Sequence, residues 1–128
     1  METRNQNVLL VDDDQSLREV VSILLTDEGY KVIQAENGQD ALNLLSGMSK
    51  EDLPSCVILD VMMPVMSGDE LLEKLSNDYQ EKLGDIPVIV CSAEGRIKNY
   101  NQVVAKIEKP INMELLCGAI KGCSGIRV

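Results

Sequence analysis

Three uninterrupted apolar runs, Val8-Leu9-Leu10-Val11, Cys56-Val57-Ile58-Leu59 and Val88-Ile89-Val90-Cys91, limit the possible folds of this chain more than any other feature. A strand with one wet face alternates apolar with polar residues, so a strand that is apolar at every position must be covered on both faces. Lys31 to Ala35 and about Val103 to Glu108 complete five strand candidates, and segments of helical period separate them. This alternation predicts an α/β fold, a parallel sheet with helices on both faces. A chain of 128 residues suits one domain with its own core. Residues 1–6 and 122–128 read as flexible ends.

The helices can be placed from their stripes and caps. Leu17, Val20, Val21, Leu24 and Leu25 give the first helix an apolar face, and Gly29 can close it. Asn37 can cap a second helix that turns Ala41, Leu42, Leu45 and Met48 inward. Ser67-Gly68-Asp69-Glu70 is a capping box ahead of Leu71, Leu72 and Leu75. The last helix starts at Asn112, with Ile111 and Leu116 spaced for a hydrophobic staple and Leu115, Ala119 and Ile120 on its stripe. Residues 93–108 must hold a loop, a helix and the fifth strand, which leaves a shortened fourth helix of about two turns. Gly95, Asn99 and Asn101 are poor helix formers there.

Polar chemistry collects where the strands end. Val11 is followed by Asp12-Asp13-Asp14, Leu59 by Asp60, Cys91 by Ser92, and Glu108 by Lys109-Pro110. The carboxyl ends of parallel strands form the rim where such folds bind ligands, and a carboxylate is not buried unpaired without a large cost. Asp12, Asp13, Asp60, Ser92 and Lys109 would converge on that rim. Asp14 fits a simpler role as a helix-start acid. Taken singly, Ser92 is an ordinary strand-end serine and Lys109 a surface lysine. Asp60, at the end of an aliphatic run, has few structural reasons to be there.

Charge and composition exclude several functions. A net charge of -9 and a pI near 4.4 disfavour direct binding to nucleic acid or to an anionic membrane. Three Tyr with no Trp or Phe supply little for base stacking. The absence of histidine removes Ser-His triads, imidazole metal sites and an internal phosphohistidine, so any histidine chemistry must come from a partner. Cys56, Cys91, Cys117 and Cys123 lack the paired spacing of a zinc site and read as free thiols of a cytoplasmic protein. No apolar run reaches the roughly 20 residues of a membrane span, and the polar stretch Met1 to Asn7 is unlike a signal peptide.

Val11-Asp12-Asp13-Asp14, Leu59-Asp60-Val61-Met62-Met63-Pro64 with Met66-Ser67-Gly68, Cys91-Ser92-Ala93 and Lys109-Pro110, in this order and each at a strand end, resemble the response-regulator receiver domains of two-component signalling, in their single-domain, CheY-like form. The resemblance implies a flavodoxin-like, doubly wound five-stranded sheet in the order 2-1-3-4-5. It implies that Asp60 takes a phosphoryl group from a sensor histidine kinase or a histidine phosphotransfer protein. It also implies a Mg²⁺ site formed by Asp12, Asp13, Asp60 and the backbone carbonyl of Met62, and a cis Lys109-Pro110 bond.

The chemistry of these groups agrees with that implication. Two carboxylates about 4 Å apart repel by about 4 kcal/mol at an effective dielectric of about 20, so the acid cluster calls for a cation. Oxygen-only ligands suit Mg²⁺. Asp60 would attack phosphorus to form an acyl phosphate, with Lys109 as a fixed positive charge and Ser92 as a hydroxyl donor to the phosphoryl oxygens. The chain departs from the family at Lys106, a position commonly aromatic in receivers, and in the short stretch from 93 to 108. The expected function is a phosphoacceptor switch that alters binding to a downstream protein, not a turnover enzyme. The alternative is a constitutive protein-interaction module, against which the intact acid set argues. An aspartate-nucleophile phosphohydrolase would carry a second acid where Met62 stands, and a flavin carrier would have a Ser/Thr/Gly loop where Asp12-Asp13-Asp14 would repel phosphate.

Overall fold

The computed structural model describes residues 7–60, 68–77, 86–92 and 103–126. Five parallel strands, β1 (Asn7–Val11), β2 (Lys31–Ala35), β3 (Cys56–Asp60), β4 (Val88–Ser92) and β5 (Val103–Glu108), lie in the order β2-β1-β3-β4-β5. Among the described residues the α-helices are α1 (Gln15–Asp27), α2 (Gly38–Ser46), α3 (Gly68–Asn77) and α4 (Met113–Ile126). The expected short helix before β5 and the Ser67 end of the capping box lie outside the described residues. Doubly wound packing follows from the apolar runs. Leu9, Val11, Val57, Leu59, Val88 and Val90 join Ala41, Leu42, Leu45, Leu71 and Leu72 in one core layer. Val8, Leu10, Cys56, Ile58, Ile89, Cys91 and Ile107 join Val21, Leu25, Leu116, Ile120 and Cys123 in the other. Each fully buried Leu or Ile in these layers contributes about 1.5–3 kcal/mol.

The caps fix where the helices begin and end. Leu17 donates its backbone N–H to the Asp14 carboxylate at 3.1 Å, and Asp40 donates to Asn37 Oδ1 at 2.8 Å. At the end of α1, Gly29 N–H reaches Thr26 O and Tyr30 N–H reaches Leu25 O, a Schellman closure that needs the positive φ of 100° at Gly29. Leu115 donates to Asn112 Oδ1 at 3.1 Å, so Asn112 is the cap of α4, and Ile111 packs in the same layer as Leu116 as the staple requires.

Two sequence expectations need correction. Val20 and Leu24 do not enter the core: they are 54% and 40% exposed, because α1 presents Val21, Ser22 and Leu25 to the sheet. Leu115 is 61% exposed, since the Asn112 cap and the staple set the phase that turns Leu116, Ile120 and Cys123 inward. The last helix runs past Gly122 to Ile126, and buried Cys123 extends the Leu116–Ile120 stripe by one turn.

Candidate functional site

Strand register builds the rim. Val11 pairs with Leu59, so Asp12 and Asp60, each the next residue, emerge level with one another. Asp60 pairs with Cys91 and Cys91 with Ile107, which places Lys109 two residues above that row. Leu10, Ile58, Cys91 and Ile107 all face the layer of α1 and α4, and the two-residue period of a strand carries Asp12, Asp60 and Lys109 to the same side.

Asp12 and Asp60 are buried, at 3% and 6% exposure, whereas Asp13 is exposed. One carboxylate oxygen from each of the three lies within 4.8 Å of the others. Lys109 Nζ donates to Asp12 Oδ2 at 3.0 Å and stands 3.5 Å from Asp60 Oδ2. Burial alone would lower the Lys109 pKa, but the hydrogen bond and charge of Asp12, with the charge of Asp60, outweigh it and hold the ammonium above its ordinary value. Just beneath, burial pushes the Cys91 thiol up to about 12, with Asp12 and Asp60 adding to the effect and Lys109 opposing it. One ammonium cannot neutralise three carboxylates. The donor set is hard oxygen throughout, which suits a hard divalent cation of the Mg²⁺ type.

The loop that carries the acids is tied at every polar atom of Asp12. Its N–H donates to Ala35 O at 3.2 Å, its Oδ1 accepts from Asp14 N–H at 3.0 Å, and its carbonyl accepts from Arg18 Nη1 at 2.6 Å. Arg18 Nε also donates to Gln34 Oε1 on β2 at 3.3 Å.

The structure therefore brings together Asp12, Asp13, Asp60 and Lys109 and leaves Asp14 to cap α1. Ser92 closes β4 opposite Glu108, but its side chain lies outside the described residues, as does Met62. The Lys109-Pro110 bond is cis. Lys106 is exposed on β5. Sequence reasoning missed Arg18; the available signal was a cation on the first turn of a helix that opens from an acid loop. It also missed an apolar cavity of about 220 Å³ that Leu17, Val20 and Leu24 form with Lys109, Pro110 and Met113.

Residues 8–121 match the family described as response regulator receiver domain. The chain is similar to Response regulator RR06 of Streptococcus pneumoniae, with 38% identity over 121 residues, covering 90% of this chain and 51% of that protein. It is also similar to the phosphate regulon transcriptional regulatory protein PhoB of Pseudomonas aeruginosa, 35% identical over 97 residues, covering 76% of this chain and 40% of that protein. This chain thus spans about half or less of the length of these relatives. Among solved structures, a CheY-like receiver domain protein from Methanospirillum hungatei superposes with a TM-score of 0.76 at 27% identity, covering 94% of this chain and 96% of that one.

Proposed function

The chain belongs to the response regulator receiver domain family, which is a family of phosphoacceptor signalling switches, and from that premise we propose that Asp60 is its phosphoacceptor. The observation that carries this reading is the convergence of Asp12, Asp13 and Asp60 with the Lys109 ammonium, 3.0 and 3.5 Å from the two buried acids. A carboxylate oxygen of Asp60 attacks phosphorus, a P–O bond forms, and the P–N bond of a donor phosphohistidine breaks, its electron pair leaving with the imidazole. Lys109, held beside both acids, would pair with the new phosphoryl oxygens. Ser92, the last residue of β4, would supply a hydroxyl donor to the same group.

Asp12, Asp13, Asp60 and the Met62 carbonyl would hold Mg²⁺, and the bound ion would supply positive charge against the transferred group. The donor is a sensor histidine kinase or a histidine phosphotransfer protein. Support for its approach over α1 comes from the exposed Val20 and Leu24 and the apolar cavity that opens beside Lys109. The phosphorylated state changes binding to a downstream protein. With exposed Lys106 where receivers commonly carry an aromatic residue, the signal is not carried by an aromatic ring at that position. Among the described residues no helix is long and apolar enough to cross a membrane. We place the protein in the cytoplasm, acting on proteins and not directly on nucleic acid. Intact mass after incubation with acetyl phosphate or phosphoramidate tests the proposal. One phosphoryl group should be gained with Mg²⁺ present, and none after chelation or in Asp60→Asn; equal labelling of Asp60→Asn would overturn it.

A further inference from the structure

Arg18 places its charge where it is least expected. An arginine beside three carboxylates would ordinarily pair with one of them, as the planar guanidinium matches a carboxylate with two hydrogen bonds. Here Nη1 instead donates at 2.6 Å to the backbone carbonyl of Asp12, and Nε at 3.3 Å to Gln34 on β2. That carbonyl belongs to the peptide joining Asp12 to Asp13. Asp12 itself is anchored by Lys109, by the Asp14 N–H and by Ala35 of β2. Asp13 is exposed. The orientation of the Asp12–Asp13 peptide, with the Asp14 N–H held on the other side, therefore helps to set where the Asp13 carboxylate stands. Arg18 is fixed at its base, because its own N–H donates to Asp14 O at 3.0 Å in the first turn of α1.

We propose that Arg18, steadied by Gln34, is a positioning residue that holds the Asp12–Asp13 peptide so that the Asp13 carboxylate faces Asp12 and Asp60 as a ligand for a divalent cation. This rests on the metal reading of the site given above. The proposal makes a prediction opposite in sign to simple electrostatics. Removing a cation near an acid cluster should strengthen Mg²⁺ binding by Coulomb's law alone, whereas loss of a group that orients a ligand typically weakens metal affinity about 10–100-fold.

The test is Mg²⁺ titration of the wild type, Arg18→Ala, Arg18→Lys and Gln34→Ala, with thermal midpoints of the metal-free proteins alongside. Arg18→Ala should bind Mg²⁺ about tenfold or more weakly. Arg18→Lys, which can still reach the carbonyl, should recover part of the affinity, and Gln34→Ala should fall in between. Affinity equal to or tighter than wild type in Arg18→Ala, whatever its midpoint, would overturn the proposal. If Arg18→Ala does not fold, Gln34→Ala decides: unchanged affinity overturns it and weakened affinity supports it. If the wild type itself binds no Mg²⁺, the metal reading fails. The positioning claim is then judged on the φ and χ1 scalar couplings of Asp13 in the metal-free proteins, which change on Arg18→Ala if it holds and stay fixed if it does not.

Discussion

Replacing Lys109 by Met keeps the aliphatic stem and removes the charge that stands beside buried Asp12 and Asp60. With Nζ at 3.0 and 3.5 Å from the two carboxylate oxygens, the gross attractions are about 5.5 and 4.7 kcal/mol at an effective dielectric of about 20. Desolvation of the ammonium offsets most of this in the wild type. What the substitution exposes is the mutual repulsion of the acids, at least about 3.5 kcal/mol on the same scale for oxygens within 4.8 Å. Breaking a buried pair costs about 3–5 kcal/mol, and a lysine side chain 24% exposed belongs at the lower end. The expected loss is about 3 kcal/mol at pH 7 without metal, or about 10 °C in Tm for a domain of this size. Urea denaturation in the presence of a chelator measures it. Adding Asp12→Asn should return part of the loss, and so should Mg²⁺ in the single variant. A cost under about 1 kcal/mol, or a double variant no more stable than the single one, would refute Lys109 as the counter-ion of the acid pair.

Asp13→Ala should weaken Mg²⁺ binding while the metal-free protein becomes no less stable, since one repelling carboxylate is gone; an unchanged Mg²⁺-induced shift in Tm would remove Asp13 from the ligand set. The Cys91 thiol keeps its proton in the fold until about pH 12 but loses it near 9.0 when unfolded. The unfolded chain therefore binds fewer protons in that window, and stability falls as pH rises by up to about 1.4 kcal/mol per unit. Cys91→Ala should descend less steeply between those limits, whatever its stability at neutral pH, and parallel slopes would show that this thiol does not titrate as described. Gly29→Ala should cost about 1 kcal/mol although nothing lies within 4 Å of the added Cβ, because φ is +100° there; Gly29→Asn should cost less, and a neutral alanine would contradict the Schellman closure.

Much of this architecture was legible because uninterrupted aliphatic runs admit few environments. Val8 to Val11, Cys56 to Leu59 and Val88 to Cys91 are too short for buried helices and read as strands covered on both faces, and the caps at Asp14, Asn37 and Asn112 follow from short-range hydrogen bonding. The placement of Asp12, Asp60 and Lys109 was legible for the same reason, since period two and strand ends fix their side of the sheet. Helix rotation was harder to read. Apolar residues cover more than half of the α1 circumference, and only packing against the sheet selects Val21 and Leu25 over Val20 and Leu24. The role of Arg18 depends on a contact with a backbone carbonyl six residues earlier and with Gln34 sixteen residues later, which no local pattern encodes.

The most direct test of the account is to locate the phosphoryl group. Borohydride reduces an aspartyl phosphate to homoserine, so tandem mass spectrometry of the protein, treated with a phosphohistidine donor and Mg²⁺ and then with borohydride, reports the modified residue itself. The account predicts homoserine at position 60 and nowhere else. Reduction at Asp12 or Asp13, or an unmodified Asp60 in a protein that has gained a phosphoryl group, would contradict it.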